Sequence, residues 1–174
     1  MRKRLPTVRL VTVSMLVTMA SVLHIFEGWL PALPVPGARL GLANIITLTA
    51  IVFFGYKDAL AVAVGRTILG SLFGPGLISI GFAMSFAGSL LSWALMSAVH
   101  RLGKGQIHLM GLSLLGAVAH NLAQLAVAGL YLEEIALVSL LPLLMIFALP
   151  TGLAVGLVSN HLARALAKIP YFRS

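Results

Sequence analysis

The segment GLSLLGAVAHNLAQLAVAG, residues 111–129, decides how the chain folds, because it is apolar enough to cross a bilayer yet carries His120, Asn121 and Gln124 near its middle. In hydrocarbon an unpaired amide or imidazole costs several kcal/mol. Such groups therefore face other helices or a wet cavity, where a partner or a ligand satisfies them. The segment predicts a membrane helix with one side toward lipid and one side toward protein.

The composition is typical of an integral membrane protein. Of the 174 residues, 60% are hydrophobic and 9% are charged, and the mean hydropathy is +1.06. The formal net charge of +8 comes from residues at helix ends and short loops. It therefore indicates topology, and we predict no nucleic-acid partner. The chain has no cysteine, which excludes a disulfide framework, a thiolate metal site and a cysteine nucleophile.

Apolar runs alternate with short breaker segments, which predicts one transmembrane domain over residues 1–174 with six helices. The breakers are rich in proline, glycine or charge. The first run is long and is not followed directly by a small-x-small cleavage site, so we expect a retained helix and not a signal sequence. The expected helices cover about 7–29, 40–55, 58–73, 77–99, 109–130 and 137–168, with a kink near Pro150.

The basic residues predict the orientation of these helices. On a six-helix path almost all of them fall on one side, and loops rich in Lys and Arg stay in the cytoplasm. Both termini are therefore predicted to be cytoplasmic, with Glu27, Glu133 and Glu134 toward the outside. The exceptions to the basic pattern are Arg39, in the outward loop, and Arg66, inside the membrane.

Arg66 lies near the middle of the third predicted helix, where a guanidinium that keeps its proton needs an anion, carbonyl groups or water. No acidic residue lies at matching depth: Asp58 is about two turns nearer the cytoplasm, and Glu27 is near the outer end of helix 1. In one interpretation, Arg66 joins helices by bonding to carbonyls and to Gln124 or Asn44. In the other, which we favour, it faces a cavity and pairs with an anionic group of a ligand.

A polar stripe on the fifth helix is the expected counterpart of Arg66. His120, Asn121 and Gln124 recur with small residues at spacings of three and four, so they share one face of the helix. We predict a substrate-binding surface made of Arg66, His120, Asn121 and Gln124, with Asn44 nearby. A polar network that only joins helices is an equal alternative for the amides.

Two charged residues border the proline-rich outer loop. We place Glu27 and Arg39 at the rim of the predicted pocket, which opens toward the outside. For this pair, an interfacial ion pair without a ligand role is the simpler interpretation.

Missing motifs argue against several activities. The chain has no GxxxxGK[ST] phosphate loop, so it does not bind and hydrolyse ATP in that manner. It has neither HExxH nor paired carboxylates within the membrane, which removes the common metalloprotease and acid/base arrangements. We therefore predict no catalytic residue, no metal site, no cofactor and no enzymatic activity of its own.

Three segments carry a resemblance to a known family: PVPGARLGLANIITL at 34–48, the short third helix with Arg66, and GAVAHNLAQLAVA at 116–128. Together with the six helices and inside termini, they resemble the Gx transporter family of bacterial membrane proteins, often labelled heptaprenyl diphosphate synthase component I. The likeness spans nearly the whole chain, and AHNLAQ and GLAN are its most specific parts. The family is similar to the substrate-binding S-components of energy-coupling factor vitamin transporters.

The resemblance implies an S-component-like bundle in the inner (plasma) membrane of a bacterium, in contact with membrane lipid. Such a bundle captures a small-molecule ligand from outside, with the outer loops closing over it. Energy would come from a separate membrane coupling subunit with two ATPases. S-components often carry an alanine-x-x-x-alanine surface on helix 1 for that subunit, and the nearest equivalent here is Ser14 and Thr18.

The synthase label can be compared with the chemistry that it implies. Head-to-tail prenyl transfer uses DDxxD motifs to hold magnesium against diphosphate, and this chain has a single aspartate, Asp58. We therefore expect that it is not the catalytic chain of such a synthase. The hypothesis that remains is that it binds or moves an isoprenoid or quinone-related molecule, with an anionic head group near Arg66 and a lipophilic tail. The alternative is a noncatalytic membrane subunit or anchor for a prenyl diphosphate or quinone pathway enzyme or a redox complex.

Overall fold

The structure is a computed structural model that describes residues 6–29, 41–74, 76–104 and 107–169. Over these residues the chain is helical and contains no strand, which confirms the all-α prediction. A short 3₁₀ helix, Ile135–Leu140, precedes the last α-helix. The α-helices are α1 Pro6–Glu27, α2 Asn44–Phe54, α3 Tyr56–Leu72, α4 Ile80–Leu102, α5 Leu109–Leu132 and α6 Leu141–Leu166.

Four of the helices, α1, α4, α5 and α6, are long and apolar enough to cross a membrane, by length and composition. The other two are shorter, with 11 residues in α2 and 17 in α3. A helix of that first length rises only about 16 Å, roughly half of the hydrocarbon thickness. Six complete spans and the sidedness of the termini therefore stay predictions.

Helix α2 occupies the centre of the bundle and contacts every other α-helix. The remaining five form an arc in which α1 packs on α3, α3 on α4, α4 on α5 and α5 on α6. Most of α2 is buried, including Asn44, Thr47 and Thr49. Because protein surrounds it, the polar groups that it carries meet other helices and not lipid.

Small residues let neighbouring helices approach closely. In the contact between α5 and α6, a Cβ added to Gly156 would lie 2.9 Å from the backbone of Met110, and one added to Gly152 would lie 3.1 Å from Ala117. In the contact between α1 and α3, a Cβ on Gly65 would lie 2.8 Å from Val17. These glycines therefore set how close the helix axes come.

Helix α6 begins later than the sequence predicts. The expected start was residue 137, but the 3₁₀ helix intervenes and α6 begins at Leu141, with Pro142 in its first turn. Proline fits there because the first turn needs no helical N–H donor. Pro150 lies inside α6, which continues through it, and the expected kink stays a prediction.

One end of the bundle, where α1 and α3 begin and α4 ends, is basic. Arg9 Nη2 donates to Asp58 Oδ1 at 2.6 Å, and Arg9 Nε donates to Asp58 Oδ2 at 2.8 Å. The Arg101 guanidinium lies 5.2 Å from the ring centre of Tyr56. The Trp93 indole N–H donates to the Tyr56 carbonyl at 2.9 Å. We call this region the basic end.

The pair of Arg9 and Asp58 should contribute little to stability, because half of the arginine side chain is exposed (50%). We expect Asp58→Asn to lower the free energy of unfolding by about 1 kcal/mol or less. Reversible unfolding in detergent mixtures would measure it, with the exposed Glu134→Gln as a charge-matched control. A loss of about 3 kcal/mol or more, as for a broken buried pair, would contradict this.

Candidate functional site

Arg66 lies at the meeting point of α2, α3 and α4 and is fully buried (0% exposed). Its Nη2 donates to Asn44 Oδ1 on α2 at 2.8 Å and to Ser89 Oγ on α4 at 2.8 Å. Hydrogen bonds to a charged group contribute more than neutral ones, about 1.5–3 kcal/mol each. The guanidinium keeps its charge in this environment, so three helices are organised around one permanent cation.

His120 and Gln124 form a second polar unit, one turn apart on α5. Gln124 Nε2 lies 3.0 Å from His120 Nε2. An amide nitrogen only donates, so in this arrangement the imidazole Nε2 accepts and a neutral His120 carries its proton on Nδ1. The ring lies against α4, because a Cβ added to Gly88 would be 2.8 Å from His120 Nδ1.

The GLAN turn, residues 41–44, connects these units. Gly41 has a φ of +82°, in the region that favours glycine. A Cβ added there would lie 3.2 Å from Asn44 Nδ2 and 3.5 Å from the His120 ring. The Leu42 N–H donates to Glu27 Oε1 on α1 at 2.7 Å. The turn thus brings Asn44 to Arg66 on one side and lies against His120 on the other.

We call the side chains of Asn44, Arg66, Ser89, His120 and Gln124 the polar cluster. Each of the five is 3% exposed or less. Four of them are residues that the sequence predicts to bind substrate, and the structure brings these four together. Because the cluster is closed over, a ligand reaches the guanidinium only if neighbouring helices separate or the GLAN turn moves.

The remaining predicted site residues are Asn121, Glu27 and Arg39, which do not belong to the polar cluster as defined above. Asn121 lies on α5, but its Nδ2 donates to the Leu144 carbonyl of α6 at 3.1 Å. This bond joins two helices, and the proposed contact of Asn121 with substrate stays a prediction. Glu27 is buried (5% exposed) and bonds to the GLAN turn. Arg39 lies outside the described residues.

Sequence reasoning missed Ser89 and Gly88. Gly81, Ser85 and Ser89 recur every four residues on α4, which predicts a stripe for helix packing. In the structure Ser89 accepts from Arg66, and Gly88 leaves room for the His120 ring. The available signal was that a buried guanidinium needs oxygen acceptors, which the hydroxyls of the next helix can supply.

The bond from Leu42 to Glu27 gives a testable role for the Glu27 side chain. We expect Glu27→Ala to destabilise the fold by about 1–3 kcal/mol, because it leaves the part-buried Leu42 N–H without this acceptor. Glu27→Gln keeps an acceptor oxygen and should recover much of the loss. Thermal unfolding of both variants measures this. Equal losses for the two variants would show that the charge matters and not the bond to Leu42.

One family of known proteins matches most of the chain. No curated protein and no solved structure matches the chain. Residues 16–162 match the family described as heptaprenyl diphosphate synthase component I. The matched region runs from within α1 to near the end of α6 and contains the whole polar cluster. This match confirms the family resemblance but does not test the likeness to S-components. The chain belongs to the heptaprenyl diphosphate synthase component I family.

Proposed function

We propose that the chain is the substrate-binding membrane subunit of a small-molecule uptake system, organised like an S-component and energised by separate subunits. The ligand is a small anionic molecule related to isoprenoids or quinones. One observation carries this proposal: the fully buried Arg66 meets the side chains of two other helices inside the bundle. A buried cation inside a membrane domain is a natural site for an anionic group.

The polar cluster suits binding better than catalysis. Amide, hydroxyl and guanidinium groups hold and orient a ligand, whereas prenyl transfer needs magnesium held by several carboxylates. The only aspartate of the chain, Asp58, bonds to Arg9 at the basic end. In this proposal the chain is not an enzyme, and another protein catalyses the synthase reaction that the family description names.

The proposed location is the plasma membrane of a bacterium, with the basic end and both termini in the cytoplasm. Lys57, Arg101 and Lys104 belong to that end, in accord with the retention of positive charge inside. The GLAN turn and Glu27 lie toward the opposite end of the helices, because α1 ends and α2 begins there. A ligand would therefore enter from outside.

The proposed coupling surface is the exposed side of α1. Ser14 and Thr18 are exposed there, one turn apart, which lets another helix approach closely. The side chains around them on the same side of α1 are exposed and apolar: Leu10, Val11, Met15 and Met19. In this proposal, Ser14 and Thr18 take the place of the two alanines of the surface that the S-component resemblance implies, and the hydroxyl residues depart from that pattern.

To test this function, the chain is isolated from its native membrane in mild detergent, and the ATPase activity that copurifies with it is measured. We expect ATPase activity with the parent chain and its loss in Thr18→Trp, because the larger side chain blocks close helix approach. Leu157→Trp, at an exposed leucine of α6, is the matched control and should keep the activity. Absence of ATPase from the parent chain would contradict an ATP-energised uptake system.

A second candidate function is a noncatalytic membrane subunit or anchor for an enzyme of a prenyl diphosphate or quinone pathway, or for a redox complex. The family description, which names a synthase component, favours it. In the same purification, this role predicts that prenyl transferase or redox activity copurifies in place of ATPase. The chain would then carry no bound small molecule.

A further inference from the structure

The buried charges near the site are few. Among the residues that the structure describes, Glu27 and Arg66 are the only buried side chains of the Asp, Glu, Lys and Arg types, and two histidines, His24 and His120, are buried as well. An oxygen of Glu27 already accepts from the GLAN turn, which lies between the two. A ligand with two or three negative charges would meet one guanidinium and a nearby carboxylate, and each uncompensated charge in a dry interior costs several kcal/mol. The charge balance therefore favours a single negative charge on the ligand.

The acidic residues do not offer a magnesium site that would offset a diphosphate. The chain has four of them. Asp58 bonds to Arg9 at the basic end, and Glu133 and Glu134 are exposed at the far end of α5. Only Glu27 lies near the polar cluster, and magnesium is usually bound through one or two carboxylates together with substrate phosphates. A diphosphate would thus rely on Arg66 and at most one carboxylate-bound ion.

Uncharged hydroxyls on the helix faces that carry the partners of Arg66 suit a carboxylate. The hydroxyls of Thr47 and Ser85 are fully buried (0% exposed) and have no hydrogen-bond partner within the described part of the chain. Thr47 lies one turn from Asn44 on α2, and Ser85 one turn from Ser89 on α4, so both belong to the faces that carry the partners of Arg66. A planar carboxylate has two oxygens that can accept from a guanidinium and from such hydroxyls together.

An apolar region adjoins the polar cluster on the side away from the basic end. Met84 and Leu125 are buried there, with Ala128 and Leu144, between α4, α5 and α6. Met84 lies one turn before Gly88, and Leu125 follows Gln124 directly. These side chains pack against one another, so a ligand with its charged head at Arg66 would displace some of them to place its body in this apolar environment, where each buried CH₂ contributes about 0.8 kcal/mol.

We propose that the ligand of this site is a lipophilic carboxylate with one negative charge, whose head meets Arg66 and whose apolar body lies among α4, α5 and α6. This inference rests on the proposed function and names the ligand class of the same site. The proposed ligand is thus a carboxylic acid and not a prenyl diphosphate, the class of compound that the family description names.

A matched set of probes tests the head group. Geranic acid, geranyl diphosphate, geraniol and geranylamine share a ten-carbon chain and differ in charge. Binding of each to the full chain in nanodiscs would be measured with radiolabelled probe, with and without Mg²⁺, and Arg66→Ala nanodiscs would correct for uptake into lipid. We expect the acid to bind at least about tenfold more tightly than the other three. A Thr47→Val, Ser85→Ala double variant should lose about tenfold for the acid and little for the alcohol.

The outcomes separate this inference from the proposed function. Arg66-dependent binding of the diphosphate that exceeds that of the acid overturns the carboxylate assignment and leaves an anion-binding subunit. Preferred binding of the amine or the alcohol also overturns it. If no probe binds more to the parent chain than to Arg66→Ala, the carboxylate assignment fails. The proposed function has its own tests: it fails if no ATPase copurifies with the parent chain, or if the parent chain purifies without any molecule that depends on Arg66.

Discussion

Replacing Arg66 with alanine is expected to weaken ligand binding by about 30-fold or more, because removal of one partner from a buried charged contact costs about 2–5 kcal/mol. The variant also deletes the bonds from Arg66 to Asn44 and Ser89. The charged group itself is removed, and the remaining buried acidic residue, Glu27, keeps its bond from the Leu42 N–H. We therefore expect a folded protein that elutes as a single species from size exclusion and has lost its ligand.

Arg66→Lys is the matched control for this loss. Lysine keeps the positive charge but lacks the planar fork of donors, so it should retain part of the binding. A graded series, with the parent strongest, lysine intermediate and alanine weakest, supports a charged contact with the ligand. Equal affinity of parent and alanine variants in a direct binding assay would exclude Arg66 from the ligand site.

Gly88→Ala is expected to have the second large effect. The added Cβ would lie 2.8 Å from both Cε1 and Nδ1 of His120, so the imidazole or the two helices must move. Overpacking of this kind typically destabilises a protein by about 1–3 kcal/mol. The shift would also disturb the contact of His120 with Gln124. We expect a lower melting temperature together with weaker ligand binding.

Gly111→Ala is the control for the helix propensity of alanine. Gly111 also lies in a helix, α5, but a Cβ added there has nothing within 4 Å. Alanine favours the helix by about 1 kcal/mol relative to glycine in exposed interiors, so this variant should be neutral or more stable. If Gly88→Ala behaves in the same way, the close approach of α4 to His120 is not a constraint on the fold.

The sequence predicts the positions of most helices, because the length of an apolar run and the breaker residues at its ends can be read from neighbouring residues alone. Helix α5 was expected over about 109–130 and covers Leu109–Leu132. The start of α6 was misplaced, since the apolar run continues across residues that form a 3₁₀ helix. Hydropathy does not separate these two conformations. The one local sign of the later start of α6 is Pro142, because proline is favoured in the first turn of a helix.

The central position of α2 could not be predicted from hydropathy. Its sequence, NIITLTAIVFF, is apolar with few polar positions, as a lipid-facing helix would also be. The short length was the only sign that it differs from a complete span. Which helices surround it depends on long-range packing, which a single sequence does not encode in any local pattern.

The candidate site was predictable in its members and less so in its contacts. Polar side chains in apolar helices must find partners, which identifies Arg66, His120 and Gln124. Their pairing depends on helix rotation: Gln124 contacts His120, one turn away on the same helix, and the expected bond between Arg66 and Gln124 stays a prediction. The serine stripe that includes Ser89 predicts helix packing, because its sequence pattern is the same whether or not the hydroxyls accept hydrogen bonds.

The central claim is that Arg66 holds an anionic ligand inside the bundle. Native mass spectrometry of the parent chain and of Arg66→Ala, both purified gently from the native membrane, tests it most directly. The account predicts an anionic small molecule bound one-to-one to the parent chain and absent from the alanine variant. The same bound mass on both proteins, or no bound molecule on the parent chain, would contradict it.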